Sequence, residues 1–147
     1  MSVTFGHQYL GLTSDEYQKF ATNVDVIIFN AWQSNFALLL QAFHPFLSAT
    51  REIATLAASS YRNMRILFVS TLATVGSMAQ ETIVPESLVE ATLASLNQGY
   101  RESKLVAERV LAIASKQASI PVSIARVGQI GGPAAPDAGS WADQAWI

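Results

Sequence analysis

Tyr100 and Lys104 stand four residues apart in the segment GYRESKLVAERVL, whose apolar spacing predicts a helix. Residues at positions i and i+4 share one helix face, so the phenol and the ammonium are expected to lie side by side. A nearby cation favours the phenolate and lowers the pKa of a tyrosine below its usual value of about 10. Tyr100 is therefore a candidate proton donor to a carbonyl oxygen. The alternative is a surface pair on an amphipathic helix, because this spacing often arises by chance.

Three short apolar runs predict the strands that would position this helix. Residues 25–30 and Arg65–Thr71 are continuous and rich in apolar residues, as in strands buried on both faces of a parallel sheet, and residues 120–126 form the third run. Strands that alternate with helices of about ten or more residues indicate an α/β domain with a parallel sheet. Ligands bind at the carboxyl ends of such strands, so the polar residues there are candidates for a site.

Helical and loop patterns fill the intervals between the strands. Thr13 and Glu16 have capping-box spacing, which places the start of a helix at Ser14. Pro45 is expected at a kink or in the first turn of a second helix. The predicted helices are Ser14–Asn23, residues 31–60 with that possible interruption, and residues 97–116, and the predicted loops are residues 76–85 and 128–147.

Composition limits the classes of function. At 147 residues the chain is expected to form one domain, 1–147. The net charge of −2, with no basic cluster, argues against nucleic-acid binding. There is no cysteine, and the two histidines, His7 and His44, are isolated, so no metal site is expected.

Neither a membrane span nor a signal peptide is expected. No uncharged apolar stretch reaches the roughly 18 residues that a span needs, because polar residues such as Gln33 and Asn35, and also Pro45, interrupt the long uncharged run at 31–48. The first residues, MSVTFGHQYLG, lack a basic region followed by an apolar block. These features predict a cytoplasmic protein.

Taken together, these motifs resemble a known family. The pieces that carry the resemblance are Phe29-Asn30-Ala31-Trp32 with Asn35-Phe36, Phe68-Val69-Ser70-Thr71, Gly99-Tyr100-Arg101-Glu102-Ser103-Lys104 with Ala107-Glu108-Arg109, and Arg126-Val127-Gly128-Gln129-Ile130 with Gly132-Pro133. In type and order they are similar to the extended short-chain dehydrogenase/reductases. The closest resemblance is to the thioester reductase domains of nonribosomal peptide synthetases, polyketide synthase hybrids and carboxylic acid reductases.

The resemblance implies roles for particular residues. Tyr100 would protonate the carbonyl oxygen, Lys104 would bind the nicotinamide ribose and lower the tyrosine pKa, and Thr71 would hydrogen-bond the substrate carbonyl. The alternative for Thr71 is a hydroxyl that ends a strand and caps the next turn. The residues expected beside the cofactor, NADPH if any, are Asn30, Tyr100, Lys104, Arg126, Val127 and Gly128. The substrate would be a carrier-protein-bound thioester or a small-molecule carbonyl compound.

The chain departs from this family where the cofactor pyrophosphate would bind. A dinucleotide fold begins with a strand, a glycine-rich turn and a helix. Here the closely spaced glycines, Gly128, Gly131 and Gly132, follow the third strand. The expected fold is therefore a partial Rossmann-like three-layer α/β domain with about three parallel strands flanked by helices. It would lack the first strands of the full fold and be truncated at both ends.

These departures leave the activity open. One hypothesis is an NAD(P)H-dependent reductase of natural-product biosynthesis that keeps Thr71, Tyr100 and Lys104. The alternative is a catalytically inactive remnant or accessory protein that does not bind NADPH on its own, and a third possibility is a piece of a larger reductase. In the strand order of the family, residues 25–30 would become an unprotected edge. We therefore expect a homodimer, or a hetero-partner that covers this edge, with the long helices as the other candidate dimer face.

Overall fold

The computed structural model describes residues 2–76, 83–84, 86–87 and 98–129. Its helices and strands alternate along the chain. They are α1 (Ser14–Asn23), β1 (Val26–Phe29), α2 (His44–Ala58), β2 (Arg65–Thr71), α3 (Gly99–Ala118) and β3 (Val122–Val127), with short 3₁₀ turns at Gln8–Gly11, Leu40–Phe43 and Leu72–Val75.

The three strands form a parallel sheet in the order β1-β2-β3. Phe29 is in register with Phe68, and Phe68 with Ile124. Right-handed crossovers that advance in one direction place their helices on one face of the sheet. The burial of the β2 side chains agrees with this arrangement, because Ile66 and Phe68 on that face are enclosed in the core. The predicted partial Rossmann-like α/β fold is confirmed.

The capping box predicted the first helix correctly. Glu16 donates its backbone N–H to the Thr13 hydroxyl oxygen at 3.3 Å, and its carboxylate accepts from the Thr13 backbone N–H at 3.0 Å. Two backbone donors at the start of α1 are thereby satisfied. The helix covers Ser14–Asn23, as predicted.

β1 differs from a strand buried on both faces. Val26 is 50% exposed and Ile28 is 66% exposed, whereas Phe29 is buried. The prediction of burial on both faces is wrong for this strand, because among the described residues β1 is at the edge of the sheet and the helices cover only the face that carries Phe29.

The predicted helix over residues 31–60 begins late, because residues 31–39 are irregular. There the Asn35 side chain accepts from the Ala37 backbone N–H at 3.0 Å, a local bond that competes with helix formation. α2 starts at His44 with Pro45 in its first turn, which is the second of the two alternatives for that proline.

The third strand is shifted by one to two residues from its prediction, to Val122–Val127. Pro121 has no N–H to donate, although its carbonyl accepts from Ile66 at 2.9 Å. The predicted loops at 76–85 and 128–147 lie mostly outside the described residues. Within the described part of the chain, no helix is long and apolar enough to cross a membrane.

Candidate functional site

The start of α3, which carries Tyr100, lies against the backbone at residues 38–40. A Cβ atom on Gly99 would stand 2.5 Å from the Leu39 carbonyl carbon and from the Leu40 nitrogen. Real Cβ contacts do not come so close, so only glycine permits this approach. Gly99 thereby sets where Tyr100 lies relative to the segment after β1.

Lys104 is buried at the carboxyl end of β2. Its ammonium donates to the Val69 carbonyl oxygen at 2.6 Å and lies 4.6 Å from the ring centroid of Trp32 and 4.7 Å from that of Phe68. Only 3% of the residue is exposed. Burial lowers the pKa of Lys104 to about 8, and the Glu108 carboxylate acts in the opposite direction.

Tyr100 is half-buried between aromatic rings, in edge contact with Phe36 at 5.0 Å and Phe43 at 6.3 Å between centroids. Burial raises the pKa of the phenol, while a hydrogen bond with Ser34 acts the other way. The prediction that Lys104 lowers this pKa is wrong, because desolvation of the phenol raises it and the opposing hydrogen bond comes from Ser34, not from Lys104.

Trp32 and Ser103 connect the segment after β1 to the first turns of α3. The Trp32 indole N–H donates to the Ser103 hydroxyl oxygen at 3.2 Å, and that hydroxyl donates to the Tyr100 carbonyl oxygen at 2.8 Å. Neither residue was predicted as part of the site. Ser103 directly precedes Lys104 in the predicted helix, but 71 positions separate it from Trp32, so no local pattern indicated the contact.

Thr71 ends β2 and caps the turn that follows. Its hydroxyl oxygen accepts from the Ala73 backbone N–H at 3.2 Å, and its carbonyl accepts from the Thr74 hydroxyl at 2.9 Å. The described contacts are thus those of the capping alternative. A hydroxyl that accepts one bond still carries its own proton, so Thr71 keeps the chemical capacity to donate to a carbonyl oxygen.

Arg126 is bound to an acidic residue that was not predicted as part of the site. Its guanidinium contacts the fully buried carboxylate of Glu108, with Nη2 to Oε2 at 2.7 Å and Nε to both oxygens at 3.2 Å. Nη1 donates to the Ser87 carbonyl at 3.1 Å. The guanidinium is thus engaged on all of its nitrogens, which does not fit the expected contact with a cofactor.

The remaining predicted cofactor residues lie at the carboxyl ends of the outer strands. Asn30 is exposed directly after β1. Val127 ends β3, is in register with Thr71, and is partly exposed. Gly128 follows it, and a Cβ there would stand 3.1 Å from a methyl carbon of Leu72.

These residues fit the nicotinamide end of a cofactor in part. The Lys104 ammonium has three donors, of which Val69 takes one, and Asn30 offers an exposed amide. Against this, the rings of Trp32 and Phe68 enclose the ammonium, so a ligand would reach it only where Trp32 moves. Asn30, Tyr100 and Lys104 are the residues that could hold this end of the cofactor.

One family model covers nearly the whole chain. It describes an NAD-binding family, Male sterility protein, and matches residues 4–147. The chain is 34% identical over 140 residues to the carboxylic acid reductase of Neurospora crassa, a match that covers 94% of this chain and 13% of that protein. It is 37% identical over 142 residues to the adenylate-forming reductase Nps11 of Serpula lacrymans, covering 94% of this chain and 12% of that protein.

Solved structures give the same result for the fold. The terminal R domain from the myxalamid PKS-NRPS biosynthetic pathway superposes with a TM-score of 0.76 at 30% identity, over 86% of this chain and 32% of that chain. The reductase domain of a nonribosomal peptide synthetase from Mycobacterium tuberculosis gives a TM-score of 0.61 at 24% identity, over 84% of this chain and 30% of that one. The resemblance to these reductase domains is confirmed, and the chain spans about an eighth of the length of the two curated relatives described above.

Proposed function

We propose that this chain, which belongs to the NAD-binding family described as Male sterility protein, carries the chemical centre of a nicotinamide-dependent reductase. Its relatives include a carboxylic acid reductase and an adenylate-forming reductase, and its fold neighbours are R domains. The proposed substrate is a carrier-bound thioester or a small carbonyl compound, and the proposed cofactor is NADPH. The observation that carries the proposal is the buried Lys104 ammonium, which donates to the carbonyl of Val69, two residues before Thr71 at the carboxyl end of β2.

The side chains divide the chemistry of carbonyl reduction between them. NADPH, when bound, supplies the hydride that the carbonyl carbon accepts. Tyr100 gives its phenolic proton to the carbonyl oxygen, and Thr71 donates a hydrogen bond to the same oxygen. With a thioester, this gives a hemithioacetal. Its C–S bond then breaks as its hydroxyl loses a proton and the sulfur gains one, which yields the aldehyde and the free carrier thiol.

The electrostatics of the site suit a proton donor. Burial raises the pKa of Tyr100, so the phenol stays protonated at neutral pH and is ready to donate. The Lys104 ammonium, with a pKa of about 8, is mostly protonated at neutral pH and favours negative charge nearby. The two groups thus support protonation of a carbonyl oxygen rather than abstraction of a proton from it.

Titration with NADPH, followed by the fluorescence of the cofactor, tests the proposal. We expect saturable binding below about 1 mM, because the few contacts of the nicotinamide end give weak affinity. Tyr100→Phe is expected to retain that binding and to lose reduction of an acyl thioester, while Tyr61→Phe, at a residue that is 84% exposed, leaves both unchanged.

The opposite result is as informative. Absence of saturable binding up to millimolar NADPH would contradict the reductase function for this chain alone and favour an accessory protein that does not bind the cofactor. Binding together with full turnover in Tyr100→Phe would remove Tyr100 from the chemistry while leaving the cofactor site.

A further inference from the structure

The buried carboxylate of Glu108 joins three separate parts of the chain. Glu108 lies on α3, and its Oε1 accepts from the hydroxyls of Ser70 and, at 3.2 Å, Thr74. Both of its oxygens accept from Arg126 on β3. One carboxylate thus holds the end of β2, the turn after it and the end of β3 against α3.

Thr71 lies inside this arrangement, between the two residues whose hydroxyls bind Glu108. The single proton of the Thr74 hydroxyl is shared between Glu108 at 3.2 Å and the Thr71 carbonyl at 2.9 Å, and the Thr71 hydroxyl caps the same turn by accepting from the Ala73 backbone N–H. The backbone of Thr71 is therefore fixed from both sides by groups that converge on Glu108. Lys104 is one helical turn before Glu108, so the same helix carries Lys104 and the carboxylate that orients Thr71.

A buried carboxylate is costly unless it is paired, and pairing with Arg126 alone would satisfy its charge. The hydroxyls of Ser70 and Thr74 add geometric constraint, because they fix which atoms of the β2 end face α3. Arg126 extends the constraint by holding Ser87 through its carbonyl.

We propose that Glu108 is a positioning residue, which holds Thr71 in place for the carbonyl of the substrate through Ser70, Thr74 and Arg126. The catalytic part of this inference rests on the proposed reductase function. The structural part, in which Glu108 fixes the turn Leu72–Val75, is measurable without turnover.

Hydrogen exchange of backbone amides separates positioning from general stability. Thr74→Val keeps the shape of the side chain and the Glu108–Arg126 pair but removes the hydroxyl. We expect exchange at Ala73, whose amide binds Thr71, to rise by about tenfold, with amides in α2 unchanged. Glu108→Gln is expected to raise exchange at Ala73 more strongly. Glu102→Gln, on the same helix, is expected to change exchange neither at Ala73 nor in α2. The proposal would be overturned if exchange at Ala73 in Thr74→Val stays within about twofold of that in the unmodified protein. It would also be overturned if exchange in α2 rises equally.

Turnover then tests the consequence for catalysis. If the unmodified chain reduces an acyl thioester, Thr74→Val is expected to lower kcat by about tenfold with little change in KM. The reason is that this variant displaces the Thr71 hydroxyl, which acts on the transition state. Selective exchange with unchanged kcat would overturn the positioning role while leaving the reductase function intact. If the unmodified chain shows no turnover, the reductase proposal fails, and the exchange at Ala73 alone decides whether Glu108 fixes the Thr71 turn.

Discussion

The Lys104 ammonium donates a hydrogen bond of 2.6 Å to the Val69 carbonyl oxygen, which ties the second turn of α3 to the end of β2. This contact removes the lysine from water, and the pKa of Lys104 falls to about 8, while burial raises the pKa of Tyr100 from 10.0. Near neutral pH the Tyr100 phenol therefore stays protonated, and Lys104 is the first of the two groups to lose its proton as the pH rises.

Folding stability should rise with pH through the titration of Lys104. Its pKa of about 8 in the folded chain is below the ordinary lysine value of 10.5, so the unfolded chain binds the proton more tightly between these values. The penalty for burying the charge is present below about pH 8 and is relieved above it. We expect Lys104 to contribute a gain of about 2 kcal/mol in unfolding free energy between about pH 7 and about pH 9.5, measured by urea denaturation.

Lys104→Met is the matched variant for that measurement. It keeps an unbranched apolar side chain but has no charge to titrate, so the part of the pH dependence due to Lys104 should disappear. Equal slopes of unfolding free energy against pH in the two proteins would show that the ammonium is hydrated in the folded state.

Gly99→Ala should destabilise the start of α3. The added methyl group meets backbone atoms of Leu39 and Leu40, which cannot rotate away as a side chain can. We expect a loss of more than about 2 kcal/mol in unfolding free energy by urea denaturation. Gly76→Ala is the control, since a Cβ there is 3.6 Å from the Ala73 carbonyl oxygen and its φ of −67° suits alanine. Similar losses in both variants would contradict the close approach at Gly99.

The sequence predicted the elements whose signals are local. The capping box at Thr13 and Glu16 gave the start of α1, and the apolar run at Arg65–Thr71 gave the bounds of β2. The helix predicted over residues 31–39 failed because apolar composition does not reveal the local bond of Asn35 to Ala37. Sequence patterns therefore predict an element correctly where interactions between residues close in sequence decide its conformation.

The candidate site was predicted in its residues but not in its contacts. Spacing alone places Tyr100 and Lys104 on one helix, yet the atoms that desolvate Lys104 come from Val69, Trp32 and Phe68. Likewise, Glu108 is visible in the motif, while its partner Arg126 is on another element. Burial by residues of other elements sets the pKa of Lys104, and it cannot be read from the spacing of residues along a helix.

Tyr17→Phe should leave the fold as stable as before or stabilise it by about 1 kcal/mol. The Tyr17 ring is buried beside Tyr9, and its hydroxyl has no hydrogen-bond partner among the described residues. Burial, with Glu52 as a further cause, raises the pKa of this phenol to about 12. Removing an unpaired buried hydroxyl relieves its desolvation cost, and thermal unfolding measures the change. A loss of more than about 1 kcal/mol would indicate that the hydroxyl has a partner in solution.

The exposed edge of β1 makes self-association the final prediction. Val26 and Ile28 are large apolar residues, exposed by 50% and 66%, on a strand whose outer backbone groups face no neighbour among the described residues. Such an edge pairs readily with a second copy, because the same surface on two chains is self-complementary about a two-fold axis. We therefore expect light scattering at tens of micromolar to give a mass above that of the monomer, and Ile28→Lys to restore the monomer.

The outer face of the long helices is the competing dimer surface, and Ile113 on α3, 54% exposed, is the matched position for testing it. Lysine on an edge strand opposes pairing of two copies because the like charges would lie close together on one face of the paired strands, whereas lysine at position 113 interferes only with contact between helices. Dissociation in Ile28→Lys but not in Ile113→Lys therefore assigns the interface to β1, and the reverse result assigns it to the helices. A monomeric unmodified chain at these concentrations would contradict both surfaces, because either one, left uncovered, would then be stable in water.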